Sequence, residues 1–384
     1  MKVSLTDICD FQGGTQPPKD EWIDQPAQGY VRMLQISDFT QSDKNYIEYV
    51  KDTGKLKTCI EDDILIGRYG ASIGKILTGL AGAYNVAIVK TIPDEKVVSK
   101  KYLYWYLNSQ YFQRFISNVG SRAAQAGFNK NDLGAAQIPL VDKERQEEIC
   151  EMLEKANKLI SLRKQQLAKL DELIKARFVE MFGDFEFNPK EFPVYHLCEL
   201  CDVGSSKRIY QEEQSISGIP FLKVADLNEL IDTGKYSCST FIPLERYEQL
   251  LHKELTPTEN DILITSRGTL GKCYIVQSDD EFYFQDGMIS WLSNFSPKVS
   301  SIYISYLFAQ PYIQKQIESL QAGSTVAYLS IAMLKKINVI LPPKKLQDDF
   351  ATFVEHVDQQ KQTVQQSLEK LELLKKALMQ EYFG

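Results

Sequence analysis

Two stretches of 39 residues, 145–183 and 346–384, constrain this chain more than any other feature. Neither contains a proline, and the first has no glycine before its last position. Apolar or small residues recur in the first at alternating steps of four and three: Ile149, Leu153, Ala156, Ile160, then Leu167, Leu170 and Ile174. That is a heptad seam, interrupted once by Arg163. Shifted by 201 positions, Phe350, Val354, Val357, Val364, Leu368, Leu371 and Leu378 continue the same stripe, and both copies finish in Phe-Gly. At 1.5 Å per residue each helix extends about 58 Å, too far for one globular domain to cover its stripe. The partner expected for each helix is therefore the other. Antiparallel pairing is favoured, because it sets the intervening domains apart around a pseudo-two-fold axis, whereas parallel pairing crowds them at one end.

The rest of the chain is duplicated in the same order. In residues 1–140, short apolar runs alternate with turn signals: the turn Gly13-Gly14-Thr15-Gln16-Pro17-Pro18, a strand over 31–36, and a strand from Ile64 that delivers Arg68, Tyr69 and Gly70 into a loop. Strands follow at Ile76-Leu77 and over 83–89, then an aromatic helix over 101–115, a loop around Gly120 to Phe128, and the edge strand Ile138-Pro139-Leu140. Asp142 is the expected N-cap of the first long helix. Residues 184–345 repeat the plan. Pro220 to Asp226 matches Arg32 to Asp38, Asn260 to Lys272 matches Asp62 to Lys75 with one residue fewer, and the aromatic helix recurs over 303–317. The expected fold is α+β: similar α/β domains at 1–140 and 184–345, joined by spacer helices at 141–183 and 346–384 that form an antiparallel coiled coil.

Composition excludes several classes. No apolar run approaches the roughly 20 residues needed to span a bilayer, and no cleavable signal pattern follows Met1, so a cytoplasmic setting without membrane contact is expected. The seven cysteines are an odd count in a large chain, which fits a reducing compartment. Cys198-x-x-Cys201 beside His196 opens like a zinc site but lacks a completing pair, so no metal is expected. The net charge of −7 is unevenly spread: residues 1–140 carry 16 basic and 15 acidic residues, and 184–345 carry 15 and 20. Any DNA-binding surface must then be a local arrangement of lysines and arginines. No catalytic set stands out among three histidines, and neither a paired-carboxylate nuclease pattern nor an adenine-methylation quartet is present. The phosphate-loop contexts GxxxxGK[ST] and strand-GxGxxG are also absent. No catalytic residue and no bound cofactor are expected.

Two similar heads held a fixed distance apart suit a target with two subsites, and duplex DNA repeats about every 34 Å. Candidate reading residues lie in the glycine-flanked loops. In the first head these are Thr15, Lys19, Arg68, Tyr69, Lys75, Ser121, Arg122 and Gln125; in the second, Lys207, Arg208, Arg267, Thr269, Lys272, Ser324, Thr325 and Tyr328. Arg68 and Arg267 sit at matched strand ends and can pair with guanine edges or clamp phosphate. Lys75 and Lys272 read as phosphate contacts, and Ser121, Arg122 and Gln125 match Ser324, Thr325 and Tyr328 roughly. Asp63 and Asp261 read as turn or cap residues.

In this arrangement the chain resembles the specificity subunit of type I restriction–modification systems over nearly its full length. The resemblance rests on the duplicated plan, the Gly13-Gly14-Thr15-Gln16-Pro17 turn, the elements ending in Arg68-Tyr69-Gly70 and Arg267-Gly268-Thr269, and the proline-led entry to each helix. It implies two target recognition domains, each reading half of a bipartite, asymmetric double-stranded DNA site. It further implies two methyltransferase subunits docked on the helices and motor-nuclease subunits completing the complex, with S-adenosylmethionine, ATP and Mg2+ on those partners. Gly204-Ser205-Ser206-Lys207-Arg208 replaces the glycine-rich turn in the second head, and Thr325 stands for Arg122, so the heads are expected to use different base contacts. The overall acidity implies that partner subunits supply much of the phosphate neutralisation. The competing readings are a coiled-coil adaptor whose heads bind protein, and a nuclease or fused methyltransferase.

Overall fold

A computed structural model describes residues 1–41, 43–122, 127–321 and 327–384, with backbone alone for 120–122. The chain divides into two compact units, Met1–Gln166 with Val364–Gly384, and Leu167–Thr363. Each unit thus combines one head with part of each long helix.

The heptad stretches form helices Lys143–Phe182 and Lys344–Phe383, each of 40 residues. Asp142 caps the first, its Oδ1 accepting from Arg145 N at 2.8 Å. Within the first unit the helix segments run antiparallel: Arg145 lies over the Tyr382 ring at 5.7 Å, Lys375 donates to Asn157 at 2.7 Å, and Lys164 pairs with Glu372 at 3.0 Å. Within the second, Lys361 pairs with Asp171 at 2.7 Å, Arg177 lies 5.7 Å from the Phe353 ring, and Phe182 meets Phe350 at 5.4 Å. Ile149, Leu153, Ile160, Leu170, Ile174, Val354, Val357, Val364 and Leu368 are buried, while Leu167, Leu371 and Leu378 are half-buried. The break at Arg163 has a local cause: its Nε donates to Ser367 Oγ at 3.2 Å and its Nη1 to Gln166 at 2.8 Å, so the charge leaves the seam hydrogen-bonded.

The first head is built on two four-stranded sheets. One has the antiparallel order Cys9–Gly13, Ile88–Pro93, Leu65–Gly67, Ile76–Leu77. The other orders Tyr49–Lys51, Tyr30–Leu34, Gly82–Tyr84 and Thr58–Cys59, with a parallel pair in its middle where Leu34 sits opposite Tyr84. The second head repeats the first sheet as Asp202–Gly204, Ile289–Ser293, Ile262–Thr265, Cys273–Ile275. Its other sheet keeps the parallel pair, Leu222 opposite Phe284, but has three strands. A two-stranded ribbon closes each head, Lys2–Ser4 with Gln137–Pro139 and Val194–His196 with Asn338–Ile340.

Three local readings of the sequence are corrected. The strand over 31–36 stops at Leu34, because Gln35 caps the helix Ile36–Thr40 and Asp38 Oδ2 accepts from Gln35 N at 2.7 Å. The strand over 83–89 is two strands, divided where Asn85 Oδ1 accepts from Ala87 N at 3.1 Å. The aromatic helix is two helices, Lys100–Leu107 and Gln110–Arg122, the second opened by Ser109 Oγ accepting from Phe112 N at 3.2 Å.

Candidate nucleic-acid interface

A carboxylate turns the chain into the central strand of each head. Asp63 Oδ2 accepts from Ile60 N at 3.0 Å, and Lys90 and Lys100 pair with the same group at 3.0 and 3.4 Å. Burial opposes its ionisation, but the Ile60 amide and the two ammonium groups prevail and hold it below the usual carboxylate range. Asp261 accepts from Thr258 N at 2.8 Å and Trp291 Nε1 at 2.9 Å, with no ammonium paired to it among the described residues, and burial pushes it up. Both are turn-forming residues, and neither reaches the loop beyond the strand.

At the far end of that strand each loop is pinned by a single β-bridge. In the first head Arg68 N donates to Ala87 O at 2.8 Å, and Tyr69 bridges Gly127. In the second, Ser266 N donates to Met288 O at 2.9 Å, and Arg267 bridges Tyr328. The register therefore places Arg267 where Tyr69 stands, and Arg68 has Ser266 as its counterpart, so the two arginines are neighbours in register and not equivalents. Tyr328 likewise occupies the place of Gly127, not of Gln125. Ser266 is buried, its hydroxyl 2.7 Å from that of Ser290. The one-residue difference falls later, between Gly70 and Gly74 in one head and Gly268 and Gly271 in the other.

Each loop thus presents one arginine and one tyrosine, by different routes. Tyr69 and Tyr328 are each 39% exposed, although they come from opposite strands of the bridge. A Cβ on Gly127 would lie 2.6 Å from Tyr69 Cδ1, so only glycine admits the ring there. Arg68 Nε donates to Phe128 O at 2.9 Å, and its guanidinium sits 5.0 Å from the Tyr69 ring. Arg267 is exposed, and among the described residues its Nη1 meets only Met288 Sδ, at 3.7 Å.

The family described as the type I restriction modification DNA specificity domain matches residues 1–172 and 189–373. The chain belongs to that family. Its relatives include the MjaVIII specificity subunit of a type I restriction enzyme from Methanocaldococcus jannaschii, 24% identical over 98% of this chain and 90% of the relative. A putative type I specificity subunit from Haemophilus influenzae, S.HindORF215P, is 26% identical over 67% of this chain and 64% of its own length. Among solved structures, the S subunit of a type I system from M. genitalium superposes with a TM-score of 0.58 at 16% identity, over 100% of this chain and 96% of that one. A chain from a study of assembly and conformational transition in a type I system gives 0.60 at 14%, over 100% and 97%. At these identities the structures speak to the fold, which this specificity-subunit chain shares.

The remaining candidates of this family member divide by what already holds them. Thr15 N donates to Tyr84 O at 3.0 Å, and the turn packs so closely that a Cβ on Gly14 would meet Asn85 O at 2.1 Å. Lys19 pairs with Glu48 and lies 3.8 Å from the Trp22 ring. Arg208 pairs with Asp286 at 2.8 Å and Lys272 with Asp232 at 2.7 Å. Thr269 is exposed, its carbonyl accepting from Thr265 Oγ1. Lys75 and Lys207 are exposed, and with Arg68 and Arg267 they make no ion pair among the described residues. Gln125, Ser324 and Thr325 lie outside the described residues, as do the side chains of Ser121 and Arg122.

Sequence reasoning did not find Gly127, Phe128, Ser266 or Met288. A glycine followed by an aromatic residue, Gly127-Phe128, was the available signal for close backbone approach. Cys198 is exposed while burial pushes Cys201 up to about 12, and no group of three or more His, Cys, Asp or Glu that could hold a metal ion occurs among the described residues. Among the described residues no helix is long and apolar enough to cross a membrane.

Proposed function

We propose that this chain reads a bipartite double-stranded DNA site, one half with residues 1–140 and the other with residues 184–345. The spacer helices, 141–183 and 346–384, set the distance between the halves and carry two methyltransferase subunits, to which motor-nuclease subunits join. S-adenosylmethionine, ATP and Mg2+ belong to those partners, and the complex works in the cytoplasm. The chain's own task is selection, in line with its membership of the specificity-subunit family.

The observation that carries this reading is the duplicated bridge. The same backbone device appears in both heads, while the side chains mounted on it differ at every position, Arg68-Tyr69 with Gly127 against Ser266-Arg267 with Tyr328. A structural adaptor gains nothing from varying the exposed tips over a constant frame; a reader of two unlike half-sequences requires it. Three candidate cations are already neutralised by Glu48, Asp286 and Asp232, which supports a partner contribution to phosphate binding.

Sequencing of modified adenines in cells carrying this chain and its cognate methyltransferase tests the proposal. One bipartite motif that disappears when the gene for this chain is deleted is expected. Methylation unchanged by the deletion contradicts it.

A further inference from the structure

We infer that Arg68 is a base-reading residue of the first head, whereas Arg267 of the second is a phosphate contact. This rests on the DNA-reading proposal and settles a division of labour that the shared residue type conceals. Bidentate recognition of a guanine edge needs a guanidinium whose plane is fixed before the base arrives, because discrimination comes from two parallel bonds at set angles. Arg68 meets that condition. Its Nε is committed to the Phe128 carbonyl at 2.9 Å, the Tyr69 ring flanks it at 5.0 Å, and no carboxylate competes for it among the described residues. With Nε occupied, the donors without a hydrogen-bond partner among the described residues are those of the two Nη atoms at the tip. A Cβ on Gly13 would sit 3.7 Å from Nη1, an ordinary van der Waals contact, so the glycine-rich turn lies directly beside that tip.

Arg267 stands one register position further out, in the place of Tyr69. It is exposed, and among the described residues its side chain meets the weak acceptor Met288 Sδ at 3.7 Å. Among the described residues none fixes the plane of its guanidinium. A phosphate tolerates that freedom, because it accepts charge from many directions and carries no sequence information.

The test uses the chain assembled with its methyltransferase subunits and a pool of duplexes randomised across both half-sites, sequenced after selection. Arg68→Lys keeps the charge but removes the fork. It is expected to lower discrimination at one guanine-containing position of one half-site by about tenfold or more, with salt dependence unchanged. Arg267→Lys should leave the selected motif intact. Arg267→Ala should weaken binding across the whole pool and reduce the slope of log affinity against log salt by about 0.9. Thermal midpoints of the free variants report folding, and Arg68→Gln replaces Arg68→Lys should the latter unfold. An unchanged motif with Arg68→Lys, or a motif altered by Arg267→Lys, overturns the inference while leaving DNA reading intact. A wild-type complex that selects no motif overturns both.

Discussion

Gln146 and Gln347, 201 positions apart and both fully buried, make the same three hydrogen bonds. Gln146 Oε1 accepts from Ser99 N at 2.9 Å, and its Nε2 donates to Val97 O and Val141 O, each at 2.9 Å. Gln347 repeats this with Ser300 N at 2.9 Å, Lys298 O at 3.0 Å and Pro342 O at 2.8 Å. Each glutamine stands in the first turn of a long helix and ties it to the loop before the aromatic helix of its own head. Three backbone groups are satisfied by one side chain, which is how a polar residue is tolerated in the interior.

Replacing either glutamine by leucine leaves those three backbone groups without their partner. Loss of about 2–4 kcal/mol is expected for Gln146→Leu and for Gln347→Leu, measured by urea denaturation. A loss no greater than that of a surface substitution such as Gln359→Leu contradicts the clamp.

The terminal phenylalanines anchor the other ends of the helices. Phe383 packs 5.1 Å from Tyr102 and 6.1 Å from Tyr106, while Phe182 packs 5.0 Å from Tyr303 and 4.7 Å from Phe178. Each is buried to 1% exposure or less. Phe383→Ala and Phe182→Ala should each cost about 3–5 kcal/mol, with the aromatic near-ultraviolet dichroism reduced in both. Retention of wild-type thermal stability by Phe383→Ala counts against a docked C-terminus.

Asp63 and Asp261 respond to pH with opposite signs. The folded pKa of Asp63 lies below its unfolded value, so its stabilisation is present above the unfolded pKa of about 4 and is lost as pH falls through the folded value. Asp261 is raised, so the folded state holds its proton more tightly, and the cost of ionising it develops as pH rises through the folded value. Asp63→Asn should therefore destabilise most at neutral pH and progressively less in acid. The stability of Asp261→Asn relative to wild type should improve between pH 3 and 7. Parallel pH profiles of thermal midpoint for the two variants show the assignments to be wrong.

Gly14 and Gly127 lie where backbone and ring approach too closely for a side chain. A Cβ on Gly14 would fall 2.1 Å from Asn85 O and 2.3 Å from Tyr84 O, so the glycine-rich turn cannot keep its place against that backbone. Gly14→Ala should cost about 1–3 kcal/mol or more. Gly127→Ala meets the edge of the Tyr69 ring, whose exposure lets it swing aside at smaller cost. A Gly14→Ala protein as stable as the Gly127→Ala protein, by thermal unfolding, contradicts this ordering.

What the sequence made legible follows from periodicity and short-range chemistry. The heptad stripe and its repetition 201 positions on were enough to foresee two long helices, and Asp142 could be assigned as a cap from its place before the seam. The duplicated order of turns and strands exposed the two heads. The failures come from contacts distant in sequence. Lys19 gives no sign that Glu48 neutralises it, nor Lys272 that Asp232 does, because each partner lies 29 or 40 residues away. Matching Arg68 with Arg267 was natural on residue type, but a loop one residue shorter leaves register undecided until the bridges to Gly127 and Tyr328 are seen. Strand ends were misplaced at Leu34 and Tyr84 for a related reason, since Asp38 and Asn85 act through backbone groups that apolar alternation does not report.

Exchange of one head tests the central claim most directly. Residues 184–345 are replaced by the corresponding segment of a relative with a different specificity, and the assembled complex is offered the randomised duplex pool. The account predicts that one half of the selected motif changes to the donor's sequence while the other half is retained. A motif altered in both halves, or one that does not respond to the exchange at all, contradicts it.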